Sequence, residues 1–368
     1  MIVLNSGVGN FIQLNGKTFS YFGGNNYLGL AGHPAVKEAA IQAIAKYGVN
    51  FSASRHTTGT ADIHLELEKQ LSIFKGTEDA VVFASGYLGN SILLETLKSR
   101  YSSLFIDANA HPSITGAIPG NIRNVHYYRH CEPVHLEKLL NRHKGSRPLI
   151  ITDGVFALTG EIAPLDLIYR IALEHKALII SDDSHSTGIL GKTGKGTPEH
   201  FNLPDKSIIY QTETMSKALG GYGGFLSGSG RLISSVREKS KTYQSSTALP
   251  PPVVAAVTAS LKVIGEHPEL HVQLLEKSGK LRNEIISLGF HTTADPTPII
   301  PIILSSAVRA KDLSSFLERD GIIVPVMHYP VKQEKFSLRI AVSVTHTDEQ
   351  INRLIEKLSE WSHKNETE

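Results

Sequence analysis

The chain has 368 residues, 41% of them hydrophobic, and its 37 Lys and Arg against 35 Asp and Glu leave a formal charge of +2. That length buries a sizeable core and predicts two domains of the ~100–200 residues typical of each, while near-neutrality without a basic stripe interleaved with aromatics argues against a nucleic-acid partner. One cysteine, Cys131, excludes an intrachain disulfide, no apolar run of ~18 residues or charged leader points to a membrane span or secretion, and seventeen scattered histidines suggest no metal site; a cytoplasmic protein is expected.

In chain order, an amino-terminal segment, 1–30, precedes a helical pattern over 61–74 and an apolar strand over 80–84. A helix over 87–98, a strand over 103–106, a helix over 133–142 and strands over 148–152, 177–182, 207–211 and 224–228 follow. Strands alternating with helices predict an α/β fold whose large domain, 31–246, is a mainly parallel sheet wrapped by helices. Three consecutive prolines, Pro250 to Pro252, interrupt the pattern and mark the exit from that domain. Helical periodicity over 253–288, strands over 299–304 and 336–342, and an amphipathic helix over 348–361 predict a smaller α+β domain spanning 247–368.

Two segments carry chemistry. Lys217 follows the apolar run Ser207-Ile208-Ile209-Tyr210 and sits among Thr214, Ser216 and a cluster of glycines. A lysine amine whose pKa is lowered condenses with an aldehyde, of which pyridoxal phosphate is the obvious one, and the flanking hydroxyls and glycines suit a phosphate. The bland alternative is a solvated surface lysine. The strand Ala177-Leu178-Ile179-Ile180 runs into Asp182, Asp183 and His185. Ligands of open α/β sheets bind at such carboxyl ends, and a carboxylate facing a pyridine nitrogen keeps it protonated. Asp182 is the better candidate, since Asp183 lies further on, where Asp is a favoured turn or cap residue.

Further motifs extend the pattern along nearly the whole chain: Asn25-Asn26-Tyr27-Leu28-Gly29-Leu30, Ser54-Arg55-His56-Thr57-Thr58-Gly59-Thr60, Ser85-Gly86-Tyr87-Leu88-Gly89-Asn90, Asp107-Ala108-Asn109-Ala110-His111-Pro112-Ser113, Asp153-Gly154-Val155-Phe156 and Leu338-Arg339-Ile340-Ala341-Val342-Ser343. In order and spacing these resemble the α-oxoamine synthases, fold-type I pyridoxal-phosphate acyltransferases that join an amino acid to an acyl thioester and release carbon dioxide.

The resemblance implies a role at each matching position. Lys217 would hold the cofactor as a Schiff base and later remove the Cα proton. Asp182 would meet the pyridine nitrogen, His185 the ring hydroxyl and His111 the pyridine face. Gly86, Tyr87 and Thr214 would bind the phosphate, with Thr247 reaching the phosphate of a neighbouring subunit. Arg339 would receive the substrate carboxylate, and Asn25 would be a polar substrate contact, although a turn role for Asn25 is nearly as good a reading. The partners implied are an amino acid and an acyl-CoA, in a homodimer with shared active sites. Alanine with a pimeloyl thioester is the favoured pair; glycine with acetyl-CoA, serine with a long-chain acyl-CoA and a secondary-metabolism paralogue stay open, as does another fold-type I reaction such as aminotransfer. A non-catalytic partner subunit is the alternative of another class, and it would have no need of Lys217.

The chain also departs from the family pattern. Ala157 stands where relatives commonly have a serine, so one hydroxyl near the cofactor ring is missing. His130-Cys131-Glu132 replaces the usual His-Asn-Asp, and Pro112 replaces the alanine of His-Ala-Ser.

Overall fold

A computed structural model of the chain describes residues 3–327 and 336–365. Its strands, in chain order, are β1 (Phe11–Leu14), β2 (Lys17–Tyr21), β3 (Asp79–Phe83), β4 (Ser103–Asp107), β5 (Val125–Tyr128), β6 (Pro148–Asp153), β7 (Leu178–Asp182), β8 (Ile209–Thr214), β9 (Gly224–Gly228), β10 (Ile299–Leu304), β11 (Ile322–Ile323), β12 (Val326–Met327) and β13 (Phe336–Ala341). They fall into two compact units. One comprises Pro34–Phe156 and Ile162–Pro268; the other comprises Met1–His33, Ala157–Glu161 and Glu269–Glu368.

The larger unit holds a seven-stranded sheet in the order β3-β9-β8-β7-β6-β4-β5. Only β9 runs against its neighbours, pairing antiparallel with both β3 and β8. The middle strands lack polar alternation because helices cover both faces. In β6, Leu149 and Ile151 pack into one core with Leu93, Ile106 and Ile180, while Ile150 points the other way, among Leu136, Leu165, Ile168 and Ile179. Each such side chain is fully buried and contributes about 1.5–3 kcal/mol relative to exposure. The covering helices are built for it. Pro133–Arg142 places Pro133 at its first turn, where a missing N–H costs nothing, and Leu165–Glu174 buries Leu165, Ile168, Tyr169 and Ala172 at helical spacing.

Three expectations change. The helix expected over 87–98 is a short 3₁₀ turn, Gly86–Leu88, leading into Gly89–Thr96. The helical stretch 253–288 is two helices, Pro251–Glu266 and Leu270–Ser287, separated at Pro268, which has no N–H for the ladder. The larger unit also runs on beyond 247, to Pro268. Pro251 and Pro252 occupy the first helical positions rather than breaking the chain. Val254, Val257 and Leu261 of that helix then pack with Leu67, Leu71 and Val82.

The smaller unit gathers three chain segments. The β1–β2 hairpin takes β11 as a parallel partner, Ile322 beside Ser20, so the first thirty residues belong to this unit rather than standing apart. A second sheet, β10-β13-β12, is antiparallel. The helices Ala307–Arg319 and Asp348–Asn365 are joined by Trp361 Nε1 donating to Asp312 Oδ2 at 2.7 Å. No helix among the described residues is long and apolar enough to cross a membrane.

Candidate active site

The parallel strands of the larger unit end in polar residues along one edge: Asp107 closes β4, Asp153 β6, Asp182 β7 and Thr214 β8. Asp153 and Asp182 are direct neighbours in the ladder, as are Asp182 and Thr212. The carboxyl edge of an open α/β sheet is where ligands bind.

Asp182 is 4% exposed. Its Oδ2 accepts from Asn90 Nδ2 at 2.8 Å and lies 3.4 Å from Ser113 Oγ, and its Oδ1 accepts from the Ser184 amide at 3.1 Å. All three partners are neutral, and among the described residues no cation pairs with this carboxylate. A buried carboxylate held only by neutral donors is costly unless a positive group joins it. Asp183 is used differently. Ser181 Oγ donates to its Oδ1, and the Thr197 amide and Gln211 Nε2 donate to its Oδ2, so Asp183 knits the turn together.

His111 caps the short helix Pro112–Thr115, its Nδ1 accepting the Ser113 amide at 3.1 Å and lying 2.8 Å from Ser113 Oγ. Burial lowers its pKa, with the Asp182 carboxylate pulling upward and Lys217 adding to the lowering, so the ring is neutral at pH 7. Its backbone N–H donates to Asp153 Oδ2 at 2.9 Å. Burial, then the charge of Asp182, pushes the Asp153 carboxyl well above the usual carboxylate range. The exposed Tyr87 ring meets His111 edge-on, with centroids 6.4 Å apart.

Lys217 is half-buried just past the end of β8. The loop that carries it is tight: the Gly221 amide reaches Met215 O at 2.8 Å and the Met215 amide reaches Gly223 O at 2.9 Å. Gly223 has φ +102°, and a Cβ there would come within 2.8 Å of Leu249 and Met215 side-chain carbons, so only glycine fits. Thr214 Oγ1 donates to Gly223 O at 3.0 Å and lies 2.8 Å from Ser216 Oγ. Opposite it, a Cβ on Gly86 would stand 2.7 Å from Thr214 Cβ and Oγ1. Ser85 Oγ caps the turn by accepting the Tyr87 amide. Glycine backbone and a threonine hydroxyl together form a cradle suited to an anion.

The larger unit thus brings His111, Asp182, Gly86, Tyr87, Thr214 and Lys217 to one sheet edge, with His185 buried three residues beyond Asp182. Thr247 does not join them. It is exposed and forms an isolated antiparallel bridge with Ser54.

Arg339 and Asn25 meet within the smaller unit. Arg339 interrupts the buried residues Leu338 and Ile340 of β13 and projects to the opposite face, as strand periodicity requires. Though 5% exposed, it is fully directed: Nε donates to Ala157 O at 2.6 Å, and Nη2 donates to Asn25 Oδ1 at 2.9 Å and Tyr27 Oη at 3.2 Å. Nη1, with its two N–H donors, has no partner among the described residues. Burial raises the Tyr27 pKa, against the opposing pull of Arg339, so its hydroxyl stays neutral.

Asn90, Ser113, Asp153 and Tyr27 are site residues that the sequence reading did not single out. Each was visible inside a motif, but each also has a partner remote in sequence.

The residues present fit pyridoxal phosphate on their own chemistry: a lysine at a strand end, a buried carboxylate lacking a cation, a neutral imidazole beside it, and an anion cradle that a Cβ at Gly86 would fill.

A family model described as aminotransferase class I and II matches residues 19–358. The 8-amino-7-oxononanoate synthase of Lysinibacillus sphaericus is 38% identical over 349 residues, which is 94% of this chain and 90% of that protein. The 8-amino-7-oxononanoate synthase 1 of Bacillus velezensis is 36% identical over 350 residues, covering 95% and 89%. Among solved structures, serine palmitoyltransferase from S. paucimobilis with a bound PLP-myriocin aldimine superposes with a TM-score of 0.94 at 28% identity, covering 99% of this chain and 92% of that one.

Proposed function

We propose that this chain, which belongs to the aminotransferase class I and II family and within it to the α-oxoamine synthases, is an 8-amino-7-oxononanoate synthase. It would condense alanine with a pimeloyl thioester, releasing carbon dioxide and the free thiol. The observation that carries the reading is Asp182, a buried carboxylate with neutral donors only, on the strand next to the one that leads to Lys217. The names of the curated relatives support the substrate pair.

Pyridoxal phosphate, when bound, supplies an electron sink for negative charge at the amino-acid Cα. Lys217 would hold its aldehyde carbon, Asp182 its pyridine nitrogen, His111 its ring face and His185 its ring oxygen, with Gly86, Tyr87 and Thr214 at the phosphate. Thr247, exposed on its bridge to Ser54, is offered to the phosphate of a neighbouring subunit in a homodimer. With the cofactor and amino acid in place, Lys217 Nζ would be the base at the Cα proton. Asp182 would favour a protonated pyridine nitrogen, because a positive partner offsets the cost of a buried anion. His111, held neutral, adds an aromatic face without adding charge. Arg339 receives the substrate carboxylate through Nη1, end-on, since Asn25 and Tyr27 occupy Nη2. We place the enzyme in the cytoplasm. Serine is the alternative amino acid, favoured by the likeness to serine palmitoyltransferase.

The test is a visible-spectrum titration of the PLP-loaded protein with alanine, glycine and serine, followed by acyl-CoAs with assay of free thiol. An alanine-dependent spectral change and thiol release with pimeloyl-CoA are expected. Serine selectivity would move the protein to the other branch. No thiol with any pair, from a protein whose Lys217 band is fixed by borohydride, would sink the acyltransferase reading.

A further inference from the structure

We infer that Asn90 is a positioning residue that ties the Asp182 carboxylate and the His111 imidazole into one hydrogen-bonded unit and fixes His111 as its Nε2–H tautomer. The inference deepens the reading of Asp182 and His111 as the cofactor-facing pair and rests on it.

Asn90 is the second residue of the helix Gly89–Thr96 and is 1% exposed. Its carboxamide has two N–H donors, and both are spent locally: Nδ2 reaches Asp182 Oδ2 at 2.8 Å and Ser113 Oγ at 3.3 Å. Ser113 Oγ lies between two acceptors, 2.8 Å from His111 Nδ1 and 3.4 Å from Asp182 Oδ2. One hydroxyl proton cannot serve both. Because Asn90 supplies Asp182 with a donor of its own, the Ser113 proton is released to His111 Nδ1. The Ser113 amide also points at Nδ1, at 3.1 Å. A ring nitrogen that receives two donors is the bare one, so the ring proton sits on Nε2.

The orphaned oxygen of Asn90 makes the same point. Asn90 Oδ1 is buried with no hydrogen-bond partner. Turning the carboxamide over would set that oxygen against the Asp182 carboxylate and aim the two donors where nothing receives them. The interior therefore leaves a carbonyl unpaired in order to keep both N–H groups on Asp182 and Ser113. An apolar residue of similar volume would fill the space without that penalty, so packing alone does not account for an asparagine here.

The test uses the full chain with ¹⁵N-labelled histidine, read by two-bond ¹H–¹⁵N spectra without and with PLP. The wild type should give His111 a bare Nδ1 and a protonated Nε2. In Asn90→Leu the Ser113 proton is expected to turn to Asp182. His111 then moves toward a tautomer mixture and its titration midpoint rises, while PLP affinity, followed by absorbance, falls roughly 10–100-fold as expected for lost bonds to a charged group. Ser113→Ala, the loss of one oxygen, should shift the His111 Nδ1 resonance in the same sense, and it decides the matter if Asn90→Leu does not fold. His111 resonances that match the wild type in the folded variants would overturn the inference, leaving Asn90 as packing. The spectra of the PLP-free protein stand independently of turnover, so a failure of the acyltransferase reading would show in the thiol assay and not here.

Discussion

Arg339 Nη2 and Asn25 Oδ1 lie 2.9 Å apart, and that bond decides how much of the guanidinium is left for a substrate. With Nε on Ala157 O and Nη2 on Asn25 and Tyr27, Nη1 is the nitrogen left without a partner among the described residues. Arg339→Lys removes the planar fork and should lower kcat/KM for the amino acid by roughly 100-fold, chiefly through KM. Asn25→Ala frees an N–H but loosens the fork, and should raise KM by only about 3–10-fold, in line with one neutral hydrogen bond. Steady-state kinetics at saturating acyl-CoA distinguish the two. An unchanged KM in Arg339→Lys would mean that the carboxylate is received elsewhere.

Gly86→Ala probes the anion cradle. The added Cβ stands 2.7 Å from Thr214 Cβ and Oγ1, so turn or threonine must shift. A stability loss of about 1–3 kcal/mol is expected, typical of overpacking, together with weaker PLP binding. Denaturant unfolding and an absorbance titration measure the two effects. Wild-type PLP affinity in the variant would remove Gly86 from the phosphate end.

Asp153 separates a buried proton from a buried charge. Its carboxyl is pushed far upward by burial and by Asp182, so the folded state keeps a proton that the unfolded state releases. Folding stability is therefore lost as pH rises above the ordinary carboxylate range toward the raised folded value. Asp153→Asn keeps an acceptor for the His111 amide and has no proton to lose, so it should be more stable than the wild type at pH 8 and nearly equal at pH 4. Asp153→Ala strands that amide and should cost about 1–3 kcal/mol. Melting curves at the two pH values give the comparison; a wild type that outlasts Asp153→Asn at pH 8 would contradict it.

His346 gives the opposite slope. Its ring stacks on Phe22 with centroids 4.1 Å apart, Nδ1 accepts the Ser343 amide at 2.9 Å, and Nε2 donates to Tyr21 O at 3.0 Å. Burial lowers its pKa from 6.5 to about 4. Below pH 6.5 the unfolded chain takes a proton that the folded one refuses, so the stability contributed by neutral His346 is full above 6.5 and is lost as pH falls to about 4. The loss is on the order of 3 kcal/mol. Urea unfolding from pH 7 to 4 should show this slope in the wild type and a flatter one in His346→Gln. Parallel slopes would discount the group.

The fold was readable wherever a local pattern carried it. Leu149-Ile150-Ile151 and Ile179-Ile180 are short, uniformly apolar runs of the kind that strands covered on both faces show, and Asp182 comes at the end of one of them. What the sequence hid depends on distance. Asn90 and Asp182 are 92 residues apart, and Asn90 and Ser113 are 23 apart, so no spacing rule joins them. The prolines at 250–252 misled for a physical reason: proline breaks a helix from within and is well tolerated at its first turn, and the sequence alone does not say which is met.

The parallel pairing of β2 with β11 sets a timetable for synthesis. The opening hairpin leaves the ribosome early, yet its sheet partner, Ile322–Ile323, is made near the other end of the chain, after every residue of the larger unit, which ends at Pro268. The seven-stranded sheet can close while the hairpin still presents an unsatisfied edge of N–H and C=O groups. A nascent chain stalled before Ile322 is thus expected to carry a finished sheet and a strand still seeking a neighbour, and crowded polysomes are where such strands find the wrong one.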